Sequence, residues 1–389
     1  MKIGIMGGTF NPIHNGHLML GKYAKDLFGL DEVWFMPNGN PPHKEKNSIE
    51  ISAEHRAEMV KRAIVCDKDF VLQMYEVQNT NTNYSYLTME YFKEKYPQCE
   101  FYFIVGADSL FNIEKWKCPD RLFQTSIMLA AYRDGKNEAE MMEQISYLKN
   151  KYQADIRLLQ TPNVDISSSD IRLKLKIGMS VEDEIPNSVL DYIKAKNLYS
   201  VEFDGMREKV KEHQSGSRFE HTLGVMYTAA KLATCYRDDV QKALIAGLLH
   251  DCAKGYSSDD KIKLCEEFGI KVLDCERKNP ELLHAKLGAH LAKAEYHIED
   301  KEILDAIYYH TTGRPEMTML DKIIYVADYI EPNRNQAPHL DTIRLLAYED
   351  IDKALIEILK DTLEYLNQTN KTIDVMTEKT YQYYNQEEK

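Results

Sequence analysis

Two histidines near the start of the chain are the first residues whose types and spacing could carry out chemistry. His14 and His17 lie three positions apart, where an apolar strand at residues 2–6 gives way to a predicted helix. Side chains three apart share one helix face, so both imidazoles can meet a single anion, and the positive end of the helix dipole points the same way. Gly8, with Gly7 before it, leaves backbone N–H groups open to a close ligand. Singly, each feature is more often a turn or a cap, but together they predict a polyphosphate site.

Two more polar groups follow later strands of the first half. Gly106 and Asp108 come directly after an apolar strand, and Asp108 is suited either to a ribose hydroxyl or to capping the next helix. Ser168, Ser169 and Arg172 begin a further helix. Hydroxyls and free N–H groups at a helix start bind anions, and arginine can add a bidentate phosphate contact. Plain N-capping would explain this last segment if it stood alone.

Six ionisable residues interrupt apolar helices that we predict in the second half. In chain order they are His221, His250, Asp251, His284, His310 and Asp328. Buried apolar helices rarely tolerate ionisable side chains without a partner, and neutral imidazoles with carboxylates suit Mn, Fe, Zn or Ni. A single histidine on such a helix is usually a hydrogen-bonded core residue. The adjacent pair His250-Asp251, with four further members in order, favours one shared metal centre.

The elements that must position these residues differ between the two halves. In the first half, strands at 2–6, 33–36, 70–75, 101–105, 127–131 and 156–159 alternate with helices. This alternation predicts a doubly wound parallel α/β sheet of the Rossmann-like class, in which ligands bind at the carboxyl ends of the strands. From residue 206 onward the pattern changes to helices without strands, which predicts an all-α domain.

Composition narrows the class of protein. A length of 389 residues suggests two or three domains, and a net charge of −13 argues against a generic nucleic-acid or anionic-membrane surface. The seven cysteines form no CxxC pair, so neither a disulfide framework nor a cysteine zinc site is indicated. Because no apolar run approaches the ~20 residues of a membrane span and no signal peptide is recognisable, we expect a cytoplasmic protein. The oligomeric state stays open, with a homo-oligomer among the alternatives.

The first half resembles the bacterial nicotinate-mononucleotide adenylyltransferases. The resemblance covers residues 1–198 and rests on GGTFNPIHNGH, the PPHK loop, GADS with Trp116, and SSSDIR. It implies an enzyme that joins ATP to nicotinic acid mononucleotide and releases pyrophosphate, with Mg²⁺ assisting. By resemblance, the ATP-binding residues would be Gly8, Thr9, Phe10, His14, His17, Gly106, Asp108, Ser168, Ser169 and Arg172, with His14, His17 and Arg172 acting in catalysis.

The same resemblance implies a mononucleotide site. Its residues would be Lys44, Tyr84, Ser85, Trp116 and Arg133. Trp116 would stack near the nicotinate ring, while Lys44 and Arg133 would meet the phosphate. Asn83 and Ser85 stand where the family usually has Ser and Thr, in the segment that receives the nicotinate carboxylate. This departure leaves open whether the acid or the amide mononucleotide is preferred.

The second half resembles the HD superfamily. The strings AGLLHDCAKG, YHTTGRPEMTML and KIIYVADYIEPNR are similar to the bacterial HD hydrolases that cut diadenosine tetraphosphate symmetrically into two ADP. The resemblance implies that the six His and Asp residues hold two divalent ions, iron or manganese, with Asp251 bridging them and acting in catalysis. It also implies that Lys254, Arg314 and Arg334 bind the polyphosphate.

The sequence therefore predicts a bifunctional enzyme with an adenylyltransferase domain at 1–198, a linker at 199–205 and a metal-dependent phosphohydrolase domain at 206–389. Its ligands would be ATP, nicotinic acid mononucleotide and diadenosine tetraphosphate, with neither nucleic acid nor membrane as a partner. Alternatives stay open for the second domain. It could act on a guanosine alarmone or a nucleotide phosphomonoester, or serve as a nucleotide-sensing module that regulates the first domain.

Overall fold

The structure is a computed structural model, and it describes residues 1–39, 51–79, 82–132, 138–162, 166–199, 203–369 and 371–387. The chain divides into two compact units. The first contains Met1–Lys176 and Ser180–Ser200, and the second contains Ile177–Met179 and Val201–Lys389. The linker predicted at 199–205 stays a prediction, although Tyr199 is buried in the core of the first unit.

The first unit is built on a parallel sheet of six strands in the order β3-β2-β1-β4-β5-β6. The strands are β1 Lys2–Gly8, β2 Glu32–Pro37, β3 Phe70–Leu72, β4 Glu100–Gly106, β5 Ile127–Ala131 and β6 Ile156–Leu159. The helices are α1 Asn15–Phe28, α2 Ala53–Ile64, α3 Tyr75–Gln78, α4 Ser85–Lys95, α5 Ala107–Phe111, α6 Pro119–Thr125, α7 Glu138–Tyr152, α8 Ser168–Ile177 and α9 Asn187–Ala195, with a 3₁₀ turn at Ile113–Lys115. The predicted α/β class is confirmed.

Both faces of this sheet are buried, which explains the apolar strands of the sequence. On β1, Ile3 and Ile5 pack into one core, whereas Met6 packs into the core on the opposite face. The helix α1 ends at Gly29, whose φ of +60° and N–H bond to the Lys25 carbonyl form a left-handed cap. The predicted third strand, residues 70–75, is shorter than expected because the chain turns into α3 at Tyr75.

The second unit is helical, as predicted. Its helices are α10 Asp204–Glu212, α11 Gly216–Tyr236, α12 Val240–Leu249, α13 Ser258–Glu267, α14 Asp274–Lys278, α15 Leu283–Tyr296, α16 Lys301–Tyr309, α17 Met319–Ile330, α18 Leu340–Glu349, α19 Ile351–Gln368 and α20 Val375–Glu387, with a 3₁₀ turn at Pro280–Leu282. Helix α12 packs against α11, α16 and α17. At Gly247 a Cβ atom would lie 3.1 Å from the Met226 Cα, so the missing side chain lets α11 and α12 approach closely. Within the described ranges, no helix combines the length and the apolar character that crossing a membrane requires.

Candidate active sites

The first candidate site lies where β1 ends and α1 begins. His14 is the N-cap residue of α1, and its ring lies against that of His17, with centroids 3.7 Å apart and planes inclined by 34°. The His14 N–H donates to His17 Nδ1 over 3.3 Å, which fixes the second ring relative to the first. A Cβ on Gly16 would approach His14 Nδ1 to 3.0 Å, so glycine gives the two imidazoles the space to share one face.

A cavity of about 260 Å³ opens beside these imidazoles. We call it the His17 cavity. It is lined by His14, His17, Gly106 and Trp116, which the structure thereby brings together as predicted neighbours. Strands β1 and β4 are adjacent in the sheet, and the strand order reverses direction between them. This is the position at which doubly wound sheets bind ligands.

The serine and arginine segment at the start of α8 is tied to the loop before α1. Ser168 Oγ donates to the Pro12 carbonyl over 2.9 Å, and Arg172 Nη1 donates to the Asn11 carbonyl over 2.7 Å. Arg172 Nη2 also reaches the hydroxyl of Ser169 at 3.4 Å. None of these three side chains lines the His17 cavity, so in this structure they adjoin it through the loop.

A second cavity, of about 100 Å³, shares Gly7, Phe103 and Trp116 with the first. We call it the Tyr84 cavity. Tyr84 and Ser85 line it together with Trp116, which brings together three of the five predicted mononucleotide-binding residues. Glu76 also lines it and was not anticipated from the sequence. It is buried, its Oε1 accepts from the Thr88 hydroxyl over 2.9 Å, and burial raises its pKa to about 7.

Several predicted residues lie elsewhere or cannot be placed. Asp108 is the second residue of α5, is exposed and does not line the His17 cavity, whereas its neighbour Ser109 does. The Thr9 carbonyl accepts from Arg56, and the ring of Phe10 packs edge-on to His17 at 5.0 Å. Gly8 likewise does not line this cavity. Lys44 and Arg133 lie outside the described residues.

The second candidate site forms where the ends of α12, α15 and α16 meet α11 and α17. Ligand atoms of His221, His250 and Asp251 lie within 4.8 Å of one another, and so do those of Asp251, His284 and His310. Asp251 therefore belongs to both groups. Its Oδ1 lies 3.1 Å from His284 Nε2, and its Oδ2 lies 3.7 Å from His250 Nε2. Asp328 Oδ1 completes the set at 3.0 Å from His221 Nε2.

All four imidazoles are oriented through the nitrogen that faces away from this centre. The Nδ1 atoms of His250 and His310 bond to the carbonyls of Gly247 and Ile307, each over 2.7 Å, and that of His284 bonds to the Glu281 carbonyl. His221 Nδ1 bonds instead to Glu331 Oε1 over 3.2 Å. When Nδ1 carries the proton in this bond, Nε2 keeps a lone pair with which it can coordinate a metal ion. This is the arrangement of metal-binding histidines.

The remaining nitrogens show that the site fits a cation. His250 Nε2 is buried and has no hydrogen-bond partner among the described residues, whereas His221 Nε2 faces the Asp328 carboxylate at 3.0 Å. His284 Nε2 and His310 Nε2 lie 3.1 Å apart. In neutral rings whose Nδ1 carries the proton, these two atoms present lone pairs to each other, an arrangement that a bound cation relieves. The all-nitrogen and oxygen donor set suits divalent transition metals.

The electrostatics of the group point the same way. Burial opposes charge on Asp251, but His250, His284 and His310 hold its pKa well below the usual range. Burial also lowers the pKa of His250 to about 4, so this ring is neutral at physiological pH. For His221, burial is outweighed by the carboxylates of Asp328 and Glu331, which raise its pKa to about 9. The ionised Asp251 carboxylate and the neutral His250 imidazole are in the protonation states that bind metal, whereas His221 has to release a proton before it can coordinate one.

The basic side chains near this centre differ in whether they contact its candidate ligands. Arg334 Nη2 lies 3.3 Å from Asp328 Oδ1, and Lys254 Nζ lies 3.3 Å from His284 Nδ1. Arg314, in contrast, is held by Asp321 at 2.7 Å and Asp305 at 3.2 Å. Arg218 was not predicted, yet its Nη1 lies 3.0 Å from Asp251 Oδ2.

Helical spacing could have found two of the missed residues. Arg218 lies three positions before His221 on α11, and Glu331 lies three positions after Asp328 at the end of α17. Side chains three apart share a face, so each could have been assigned to the centre through its neighbour.

A cavity of about 680 Å³ adjoins the centre, and we call it the Asp328 cavity. His310, Asp328 and Arg334 line it, together with Tyr329 and Tyr365. The cavity thus combines aromatic rings, the guanidinium group of Arg334 and two candidate metal ligands. Such a surface is suitable for a nucleotide.

Comparison with known proteins finds a different family for each half of the chain. Residues 5–174 match the cytidylyltransferase-like family, and residues 218–333 match the HD domain family. A probable nicotinate-nucleotide adenylyltransferase of Clostridium botulinum (strain Alaska E43) is 40% identical over 201 residues, covering 52% of this chain and 99% of that protein. A Mycoplasma genitalium protein named probable nicotinate-nucleotide adenylyltransferase/Ap4A hydrolase is 29% identical over 367 residues, covering 92% of this chain and 97% of that protein.

A solved structure is also similar to part of the chain. It is described as a predicted HD superfamily hydrolase involved in NAD metabolism from Clostridium acetobutylicum, with 38% identity and a TM-score of 0.47. The similarity covers 48% of this chain and 97% of that one. On the strength of the sequence relatives and the two family matches, the chain belongs to the nicotinate-nucleotide adenylyltransferase family and carries an HD domain in addition.

Proposed function

We propose that the first unit transfers the adenylyl group of ATP to nicotinic acid mononucleotide. The adjacent rings of His14 and His17, after the end of β1, support this most directly, because they offer two imidazoles at one helix start beside a cavity. The adjoining Tyr84 cavity, which shares Trp116, is our candidate site for the second substrate.

In this reaction a phosphate oxygen of the mononucleotide attacks the α-phosphorus of ATP, and the bond to pyrophosphate breaks. His14 and His17 donate hydrogen bonds to the triphosphate as negative charge moves onto the leaving group. The start of α1 adds the positive end of its dipole. Arg172 and the two serines would meet phosphate oxygens once ATP is bound. Mg²⁺ that accompanies ATP would neutralise further charge. Nucleotidyl transfer needs such positioning more than a nucleophilic side chain.

We propose that the second unit hydrolyses diadenosine tetraphosphate symmetrically to two ADP. The position of Asp251 in both ligand groups supports a two-ion centre most directly. Two divalent ions, for which we propose iron or manganese, would supply a hydroxide and neutralise phosphate oxygens. The hydrogen bonds at Nδ1 hold the imidazoles in the correct tautomer, and Arg334, Lys254 and Arg218 are placed to bind phosphate. Since its substrates are nucleotides of the cell interior, we also propose a cytoplasmic location.

Two variants of the full chain test the assignment. His17→Ala should lower adenylyl transfer by at least ~100-fold, since removing one preorganised donor typically costs ~2.7–4 kcal/mol, and should leave hydrolysis unchanged. His250→Ala should do the reverse. The exposed His297→Ala serves as a control that should alter neither rate.

The assays should compare the acid and amide mononucleotides, and should offer diadenosine tetraphosphate alongside a guanosine alarmone. Loss of both activities in either folded variant would contradict the division into two sites. A preference for the amide, or for the alarmone, would overturn the corresponding substrate.

A further inference from the structure

A second cavity of the helical unit is not used by the function proposed above. It measures about 410 Å³, and Tyr308, Tyr309, Lys271, Lys286 and Lys379 line it. We call it the Tyr308 cavity. Its walls come from the end of α16, the first turn of α15 and the start of α20. These segments of α15 and α16 are the ones that carry the candidate ligands His284 and His310.

The charges of this cavity favour an anionic ligand. Two buried acids also line it, but both are already bonded within the protein. Glu276 Oε1 pairs with Lys286 Nζ at 2.6 Å, and Asp374 Oδ1 accepts from the Met376 N–H over 2.8 Å. Lys271 and Lys379, in contrast, are exposed at the cavity and form no ion pair with any residue of the described ranges.

The Tyr308 cavity lies directly beside the Asp328 cavity. Thr311 lines both of them, and it follows the candidate ligand His310. The two cavities therefore meet at the residue next to the metal centre. Both fall within the ~300–1,000 Å³ typical of small-molecule sites, and both present tyrosine rings.

We propose that the Tyr308 cavity binds the second nucleoside of a dinucleoside polyphosphate, while the Asp328 cavity binds the first. The proposal rests on the proposed hydrolysis, because a cut at the middle of the tetraphosphate leaves equal arms on both sides of the metal centre. Each arm then needs a surface for a base. Tyr308 or Tyr309 would stack on the second base, and Lys271 and Lys379 would meet the phosphates that lead to it.

The test uses Val375→Trp in the full chain. Val375 lines the Tyr308 cavity and is 57% exposed, so an indole there fills the cavity without disturbing the core. Leu345→Trp is the matched control, since Leu345 is 71% exposed on α18 and lines neither cavity. Tyr308→Leu, which removes the ring but keeps an apolar side chain, is the second variant.

Two constants are measured for each protein with Mn²⁺ present, namely the KM for diadenosine tetraphosphate and the inhibition constant of adenosine 5′-tetraphosphate, which lacks the second nucleoside. We expect Val375→Trp and Tyr308→Leu to raise the KM about tenfold, within the range of base stacking on aromatic side chains, and to leave the inhibition constant within about twofold. An unchanged KM, or an equal rise in both constants, would overturn the second subsite. If the unaltered protein fails to hydrolyse diadenosine tetraphosphate, the proposed function itself is wrong.

Discussion

At the scale of single residues, His221 differs from the other three histidines in what orients it. Their Nδ1 atoms bond to main-chain carbonyls, whereas His221 bonds to the side chain of Glu331. Glu331 is itself buried, and its Oε2 accepts from the Asn333 N–H over 2.7 Å. A Cβ on Gly224 would lie 2.3 Å from that same oxygen, so glycine on α11 makes room for the carboxylate.

From this contact we infer that Glu331 positions His221 in the candidate metal centre. We expect Glu331→Ala to weaken Mn²⁺ binding by ~10–100-fold, the usual effect of removing a bond that orients a ligand. Glu331→Gln should lose less, because its amide oxygen can still accept from His221. Calorimetric titration with Mn²⁺ measures both. Equal affinity in the alanine variant and the unaltered protein would show that His221 needs no such support.

A second residue-scale prediction concerns Glu76 in the Tyr84 cavity. Burial raises its pKa from 4.5 to about 7, so the folded protein keeps a proton that the unfolded chain releases. The resulting stability is fully present below pH 4.5 and is lost as the pH rises through 7. Glu76→Gln stays neutral throughout this pH range. Its free energy of unfolding should therefore gain roughly 3 kcal/mol over that of the unaltered protein as the pH rises from the lower limit to the upper.

Denaturant unfolding at the two pH values, followed by tryptophan fluorescence, provides the measurement. Glu58→Gln, at an exposed ion pair on α2, is a control that should show little pH-dependent gain. A constant difference between Glu76→Gln and the unaltered protein at both pH values would contradict the burial of a proton at this site.

At the scale of elements, one arginine joins two loops at the edge of the sheet where the His17 and Tyr84 cavities lie. Arg56 on α2 is buried, and its guanidinium donates to the Thr9 carbonyl after β1 and to the Asn38 carbonyl after β2, each over 2.6 Å. Arg56 therefore connects the loop that leads to His14 and His17 with Asn38, which lines the Tyr84 cavity.

Replacing this arginine should therefore affect both substrates of the first unit. Arg56→Met leaves the part-buried carbonyls of Thr9 and Asn38 and the buried carbonyl of Ile51 without this donor, and a fully buried group left unbonded costs about 1–3 kcal/mol. We expect a less stable first unit and a higher KM for both ATP and the mononucleotide, with hydrolysis unaffected. Steady-state kinetics with each substrate varied in turn decide the matter, and Arg62→Met, at the surface of the same helix, is the control. A rise in KM for only one of the two substrates would contradict the inference that Arg56 supports both loops.

Much of the element pattern could be predicted, for physical reasons that single residues make clear. The apolar pattern predicts a helix at residues 15–28, and α1 has these ends because Gly29 stops it in a left-handed cap. It also predicts helices at 283–296 and 351–368, and α15 and α19 have these bounds, since their apolar faces repeat at helical spacing. Arg56 could not be anticipated, because a basic residue on an amphipathic helix usually faces water. No helix is predicted after residue 368, and the weak apolar periodicity of α20 gives a physical reason for this omission.

At the scale of the whole molecule, the two tryptophans of the chain lie in the first unit. Trp34 is on β2 and Trp116 lines both cavities of that unit, so the second unit contains none. Tryptophan fluorescence therefore reports on the unfolding of the first unit, whereas circular dichroism reports on both.

Metal binding should consequently stabilise one unit selectively. At 100 times the dissociation constant, Mn²⁺ should stabilise the second unit by about 2.7 kcal/mol. The transition that is seen by circular dichroism alone should then move to higher temperature, while the fluorescence transition stays in place. In an Asp251→Asn variant neither transition should move. A joint shift of both in the unaltered protein would show that the units unfold together.

The place of β1 in the sheet has a further consequence, for how the chain is assembled. Ile3 pairs with Glu32 on one side, and Lys2 pairs with Glu100 on the other. Strand β1 is synthesised before β2 and β4, and its second partner strand follows about a hundred residues later. Until β4 is synthesised, one edge of β1 has no partner strand. Contacts so distant in sequence also form slowly. A nascent chain cut short before β4 would keep that edge open to pairing with other chains.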